Sequence, residues 1–246
     1  MRAAPRSSCF AAIDIGRAHP PTPSPVSAAL VSASIKHPPL SEALLLVTIS
    51  FGCFILASVF AVLDDFPASE SFSDAALLSL MVTEIVLGGM ALAFLRHRGY
   101  ALRALLPSPD WRGVWEGVVL CAAAWMACIV VVALLPSRPD GLQPVAQMLA
   151  NAKPSFAVVL VVSLLNGLYE ETFLLGYLMR GYASLGASFA LGLSVLVRVM
   201  YHLYQGPEGA LSVVVFGIVL GAVYWRTRRL WPAVVAHVLA DVVALG

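Results

Sequence analysis

Charge is scarce in this chain. Asp, Glu, Lys and Arg make up only 12% of its 246 residues and the formal net charge is +1, where an average soluble domain carries about 25% charged residues. A set so sparse and so balanced creates no extended field of one sign, which excludes nucleic acid as a partner. Cysteine is equally thin. Cys9, Cys53, Cys121 and Cys128 form neither a CxxC pair nor any zinc-ligand spacing, so they read as small core residues. No HExxH is present, which removes the usual helical zinc-peptidase signature. Residues 1–37 contain no signal-peptide apolar segment, and no internal repeat of the kind found in many transporters is visible.

Apolar residues are abundant. They make up 60% of the chain, and the bilayer is therefore the solvent in which the sequence has to be read. Roughly 20 apolar residues in a helix cross a hydrocarbon core about 30 Å thick. Seven stretches qualify: 43–63, 75–95, 117–135, 155–179, 184–204, 209–225 and 230–246, the last two being short. The expected fold is all-α, a polytopic transmembrane bundle of about seven spanning helices. Residues 41–246 form one membrane domain behind a disordered tail over 1–40, where Pro20, Pro21, Pro23 and Pro25 stand among Ser and Ala.

The partition is consistent with the rule that basic residues collect on the cytoplasmic side. Arg2, Arg6, Arg17, Lys36, Arg96, Arg98, Arg103, Arg112, Arg180, Arg226, Arg228 and Arg229 fall on one side, while only Arg138 and Lys153 fall on the other. The second side also receives Asp64, Asp65, Glu70, Asp74, Asp140 and Glu208. The N-terminus is thus expected in the cytoplasm. Tyr177, Tyr182, Tyr204, Tyr224, Trp225 and Trp231 lie near span ends and read as headgroup-level aromatics. Gly217 and Gly221 form a GxxxG that lets helices approach closely within the bundle.

An ionisable side chain at mid-bilayer is costly, at least about 2.5–3.5 kcal/mol, and so calls for a partner or a task. Glu84 and Glu116 stand alone. Glu170, Glu171, Arg198, His202, His237 and Asp241 all fall within the last four spans. His237 and Asp241 share a helix face at i, i+4, as do Arg198 and His202, whereas adjacent Glu170 and Glu171 diverge by about 100°. One glutamate should therefore face a reaction centre and the other a structural partner.

The same residues carry a resemblance. Glu170-Glu171-Thr172-Phe173-Leu174-Leu175-Gly176 matches an EExxxR motif followed by Gly, Arg198 through His202 matches FxxxH, and His237 to Asp241, preceded by Trp231-Pro232-Ala233, matches HxxxN or HxxxD. Over roughly residues 150–246 the chain resembles the CPBP family of intramembrane proteases. That family includes the eukaryotic type II CAAX prenyl endopeptidases and bacterial proteins, some linked to bacteriocin immunity. Two positions depart from the pattern: Leu175 stands where the family has arginine, and Arg198 where it has phenylalanine. The resemblance leaves open a relocated cation, with Arg198 expected to neutralise Glu171 from the next helix.

The resemblance implies an intramembrane endopeptidase of multi-pass topology in a bacterial inner membrane, acting on a membrane-associated protein or peptide. It assigns the general base to Glu170, with His202 holding the attacking water. Asp241 is expected to fix the His237 tautomer through Nδ1 and so aim Nε2 at the reacting carbonyl. If a divalent metal such as zinc takes part, Glu170, His202 and His237 supply the three ligands of a catalytic site. Two other readings stay open: a catalytically silent scaffold or immunity protein of the same fold, and a proton-coupled transporter that uses the buried carboxylates as a relay.

Overall fold

Apolar runs bounded by capping residues set the helices. The computed structural model describes residues 38–66, 72–134, 144–150 and 152–246, so the tail expected over 1–40 lies outside the described residues except for its last three. Helix α1 spans Leu40–Leu63, α2 Asp74–His97, α3 Trp111–Ala133, α4 Pro144–Ala150, α5 Phe156–Glu171, α6 Ala187–Met200, α7 Gly206–Thr227 and α8 Trp231–Leu245. Ser73 caps α2 by accepting from the Ala76 amide at 3.2 Å, and Asp110 caps α3 by accepting from the Gly113 amide at 2.7 Å. Pro207 and Pro232 open α7 and α8, where a missing N–H costs the helix nothing.

Among the described residues, five helical segments are long and apolar enough to cross a membrane: Leu40–Leu63, Asp74–His97, Trp111–Ala133, Phe156–Met179 and Leu203–Thr227. The chain is an integral, multi-pass helical membrane protein. Helices α6 and α8, of 14 and 15 residues, are each about 21–23 Å long and fall short of the hydrocarbon thickness. Of the two final spans expected to be short, the last is short and the sixth is corrected. The sixth is full length, and the fifth is the short one because Tyr182, a 3-10 turn over Ala183–Leu185 and Gly186 precede it. Gly186, at φ 97°, adopts a backbone conformation that suits glycine and starts α6 at Ala187.

The bundle is centred on α5. In its membrane-length window 61% of residues are buried, against 22–28% in the other four long segments. Helix α8 packs on α3 and α5, α7 on α3 and α6, and α2 on α1 and α5. Large apolar side chains such as Leu56, Val82, Val119, Ile129 and Leu160 point outward, as acyl chains allow.

Two glycines set the α6–α7 contact. A methyl group on Gly217 would meet Arg198 Cδ and Val195 Cγ2, both at 3.3 Å, and one on Gly221 would run into Leu191. The GxxxG thus works inside the bundle, as expected. Three of the aromatics expected at headgroup level lie inside it instead. Tyr177, Tyr182 and Tyr224 are 1%, 3% and 3% exposed and belong to the core, because the elements they sit on are covered by the 98–106 segment and by neighbouring helices.

Candidate active site

Directly after Glu171 the helix widens. Thr172–Met179 form eight residues of π-helix, all buried, a local winding that frequently accompanies function. Gly176 permits it to lie against the chain: a Cβ there would stand 2.7 Å from the Leu105 carbonyl oxygen. The widening begins where the two glutamates leave α5. Both carboxylates are buried, at 4% and 0% exposure.

A single guanidinium joins them. Arg198, 2% exposed, donates from Nη1 to Glu170 Oε2 at 3.1 Å and from Nη2 to Glu171 Oε1 at 2.7 Å. Arg198 therefore stands as the charge partner that the sequence lacks at Leu175, which is itself packed in the core at 1% exposure. Tyr201 OH donates to Glu170 Oε2 at 2.5 Å. Its ring stacks on Phe51 of α1 at 4.8 Å between centroids, so the first helix braces the site. The Glu170 Oε1 atom takes part in none of the described hydrogen bonds.

His237 arrives from α8, 5% exposed. Its Nδ1 lies 2.6 Å from Glu171 Oε1, and its Nε2 lies 3.8 Å from Glu170 Oε2 and 3.7 Å from Asp241 Oδ1. The carboxylate at Nδ1 is thus Glu171 and not Asp241. An i, i+4 partner reaches only the side of the ring that faces along its own helix, whereas the α5–α8 packing brings Glu171 to the other nitrogen. With an anionic acceptor at Nδ1, that nitrogen carries the proton and Nε2 is presented to the site. Asp241 is held instead by Asn166 Nδ2 at 2.8 Å, and the same Nδ2 lies 3.5 Å from His237 Nε2.

His202 stands just past the end of α6, half-buried, with Nδ1 2.9 Å from the Arg198 carbonyl oxygen. That carbonyl accepts from Nδ1–H, which leaves the Nε2 lone pair free. A cavity of about 560 Å³ opens here, lined among others by His202, His237, Asp241 and Arg198 and by the apolar Trp125 and Phe216.

Among the described residues, the donor atoms that gather within 4.8 Å are those of Glu170, Glu171 and His237. His202 is outside this set, unlike the expected trio. Glu84, expected to stand alone, is 3% exposed, with Oε2 lacking a hydrogen-bond partner among the described residues. It lies within electrostatic reach of Glu170, Asp241 and His237. The sequence reading missed Asn166 and Tyr201. Asn166 carried a signal, since it is the one amide in the apolar run of α5 and sits at i−4 from Glu170, on the same face. Tyr201 gave none beyond its place next to His202.

No curated protein and no solved structure matches the chain. Residues 152–243 match a family model described as Type II CAAX prenyl endopeptidase Rce1-like, so this segment, which holds the glutamates, the arginine and both histidines, is similar to the CPBP/CAAX proteases.

Proposed function

We propose that this chain is an intramembrane endopeptidase that hydrolyses a peptide bond of a membrane-associated protein or peptide with a glutamate-activated water. The observation that carries the reading is the pair of His237 contacts: Nδ1 on Glu171 at 2.6 Å and Nε2 at 3.8 Å from Glu170 Oε2, beside a cavity of about 560 Å³. A gap of 3.8 Å is too long for a direct hydrogen bond, and a water can close it.

In this mechanism Glu170 accepts a proton from that water while the hydroxide oxygen forms a bond to the scissile carbonyl carbon. Asn166 Nδ2, 3.5 Å from His237 Nε2, is the N–H donor available on that side of the ring for the oxygen that gains charge. The C–N bond then breaks, and Glu170 returns the proton to the departing amine. Arg198 and Glu171 are positioning residues: the first fixes both carboxylates and the second fixes the His237 ring. His202 holds water through its free Nε2. The apolar cavity walls suit a substrate segment held in the membrane, a prenylated chain end among them. A bacterial inner membrane with the N-terminus in the cytoplasm fits the distribution of arginines.

The donor set fits a divalent metal poorly. Glu170 Oε2 and Glu171 Oε1 both already accept from Arg198, and Tyr201 and His237 take up further positions on the same oxygens. A dication at these atoms would sit against a buried guanidinium. No step is therefore assigned to one.

The test is cleavage of a membrane-tethered peptide library by the purified protein. Glu170→Gln should lower the rate by roughly 10²–10⁴-fold, and His202→Ala should lower it as well. If the wild type cleaves nothing while a cellular phenotype survives both variants, the silent-scaffold reading replaces this one.

A further inference from the structure

A second pocket lies away from the glutamates. About 310 Å³ in volume, it is formed where the 103–110 segment, the end of the π-helix, the end of α7 and the start of α8 meet. Four arginines line it, Arg103, Arg180, Arg228 and Arg229, against one acid, Asp110. The family chemistry uses none of them.

Their partners decide how much charge is left over. Arg229 is consumed locally: it donates to Asp110 Oδ1 at 2.8 Å and Oδ2 at 2.6 Å and also pairs with Glu116. These hydrogen bonds hold the Asp110 carboxyl below its ordinary value and the Arg229 guanidinium above its own. Arg180 donates to a neutral group, the Ala104 carbonyl. Arg228 lies over the Trp225 ring with its guanidinium carbon 4.3 Å from the centroid; such stacking leaves the in-plane N–H groups open. Among the described residues, three cations therefore line the pocket without a carboxylate partner.

A further feature favours an anion. Trp231 lines the pocket at the start of α8. Helix α8, 15 residues long, begins here at Leu230 and Trp231 with no side-chain cap, so the positive end of its dipole faces the same space.

We propose that this pocket is a binding site for a phosphate group, carried by an anionic lipid headgroup or free in solution. Its position at the ends of α7 and α8, outside the apolar spans, matches the depth at which headgroups lie. Arginine forks suit phosphate oxygens, and the aromatic Trp225 and Trp231 are of the type that settles at that level.

The experiment uses the full chain in detergent, offered phosphatidylglycerol, phosphatidylcholine or inorganic phosphate, with bound lipid counted by native mass spectrometry and Tm followed in parallel. Wild type should retain phosphatidylglycerol over phosphatidylcholine by about tenfold, and the pair Arg103→Gln/Arg228→Gln should remove that preference. The charge-keeping pair Arg103→Lys/Arg228→Lys should keep most of it. Single Arg103→Gln gives an intermediate value and covers the case of a misfolded pair. A phosphate-induced rise in Tm that the Gln pair abolishes, without lipid retention, assigns the site to free phosphate. The proposal is overturned if phosphatidylglycerol and phosphatidylcholine bind alike and phosphate leaves Tm unmoved, or if the Gln variants bind as wild type does.

Discussion

Arg198 reaches Glu171 across a helix interface, Nη2 to Oε1 at 2.7 Å, with both side chains almost wholly removed from solvent. The contact ties the end of α6 to the end of α5 and delivers a positive charge to a site whose own helix offers only Leu175. Removing one partner of a buried ion pair costs about 3–5 kcal/mol, because the other charge is left uncompensated. Here two carboxylates would be left. Arg198→Met should therefore lower Tm in detergent by about 10 °C, taking roughly 2–4 °C per kcal/mol for a chain of this size. Adding Leu175→Arg, which restores a cation one turn after Glu171, should recover part of the loss. A Tm within about 2 °C of wild type for Arg198→Met would show that the guanidinium does not hold the site together.

The same geometry bears on metal. Since the carboxylate oxygens nearest His237 already accept from Arg198, peptidase activity is expected to survive incubation with a strong zinc chelator, and purified protein is expected to carry well under one zinc per chain by elemental analysis. One equivalent of zinc that disappears in Glu171→Gln would reverse this expectation.

Much of this arrangement was legible in the sequence, and its gaps have physical causes. Composition and apolar run length were enough to give the bundle and to put the six ionisable residues in its C-terminal part, although His202 falls just past the end of α6. The helical period paired His237 with Asp241, yet it could not say which carboxylate meets Nδ1. That contact depends on how α5 crosses α8 and on the π-helical widening after Glu171, and neither leaves a mark in residue spacing. Glu42 shows the same limit. It is 6% exposed and accepts from Arg98 Nε and Tyr100 OH, both at 2.6 Å. Its partners lie 56 and 58 residues away, beyond any local pattern.

Gly217 should matter through Arg198. A β-carbon there lies at 3.3 Å from Arg198 Cδ and 3.5 Å from Nε, close enough that alanine needs small shifts and valine displaces the side chain. Overpacking of this kind costs about 1–3 kcal/mol. Gly217→Val should reduce peptidase kcat more than tenfold while KM changes little, since the displaced group positions the base and does not touch substrate. Gly192→Val is the control, because nothing stands within 4 Å of its β-carbon, and it should leave kcat unchanged. Equal losses in the two variants would mean that valine harms these helices generally.

Acid stability should carry the signature of Asp110. Its carboxyl is held below the ordinary value of 3.8, first by the Arg229 hydrogen bond and then by the Gly113 amide. A depressed carboxyl stabilises the folded state above its unfolded-state value, and the contribution fades as pH falls through the folded-state value. Asp110→Asn keeps a capping oxygen for Gly113 but loses the charge opposite Arg229. Wild type should therefore have the higher Tm at pH 7 by a small margin that holds steady down to about pH 5. Below about pH 4 the margin should narrow as Asp110 takes up its proton, while the variant's own titration lacks this step. A margin that stays flat to about pH 3, or that widens on acidification, would place the acid-sensitive contact elsewhere than at the junction of α3 with the α7–α8 turn.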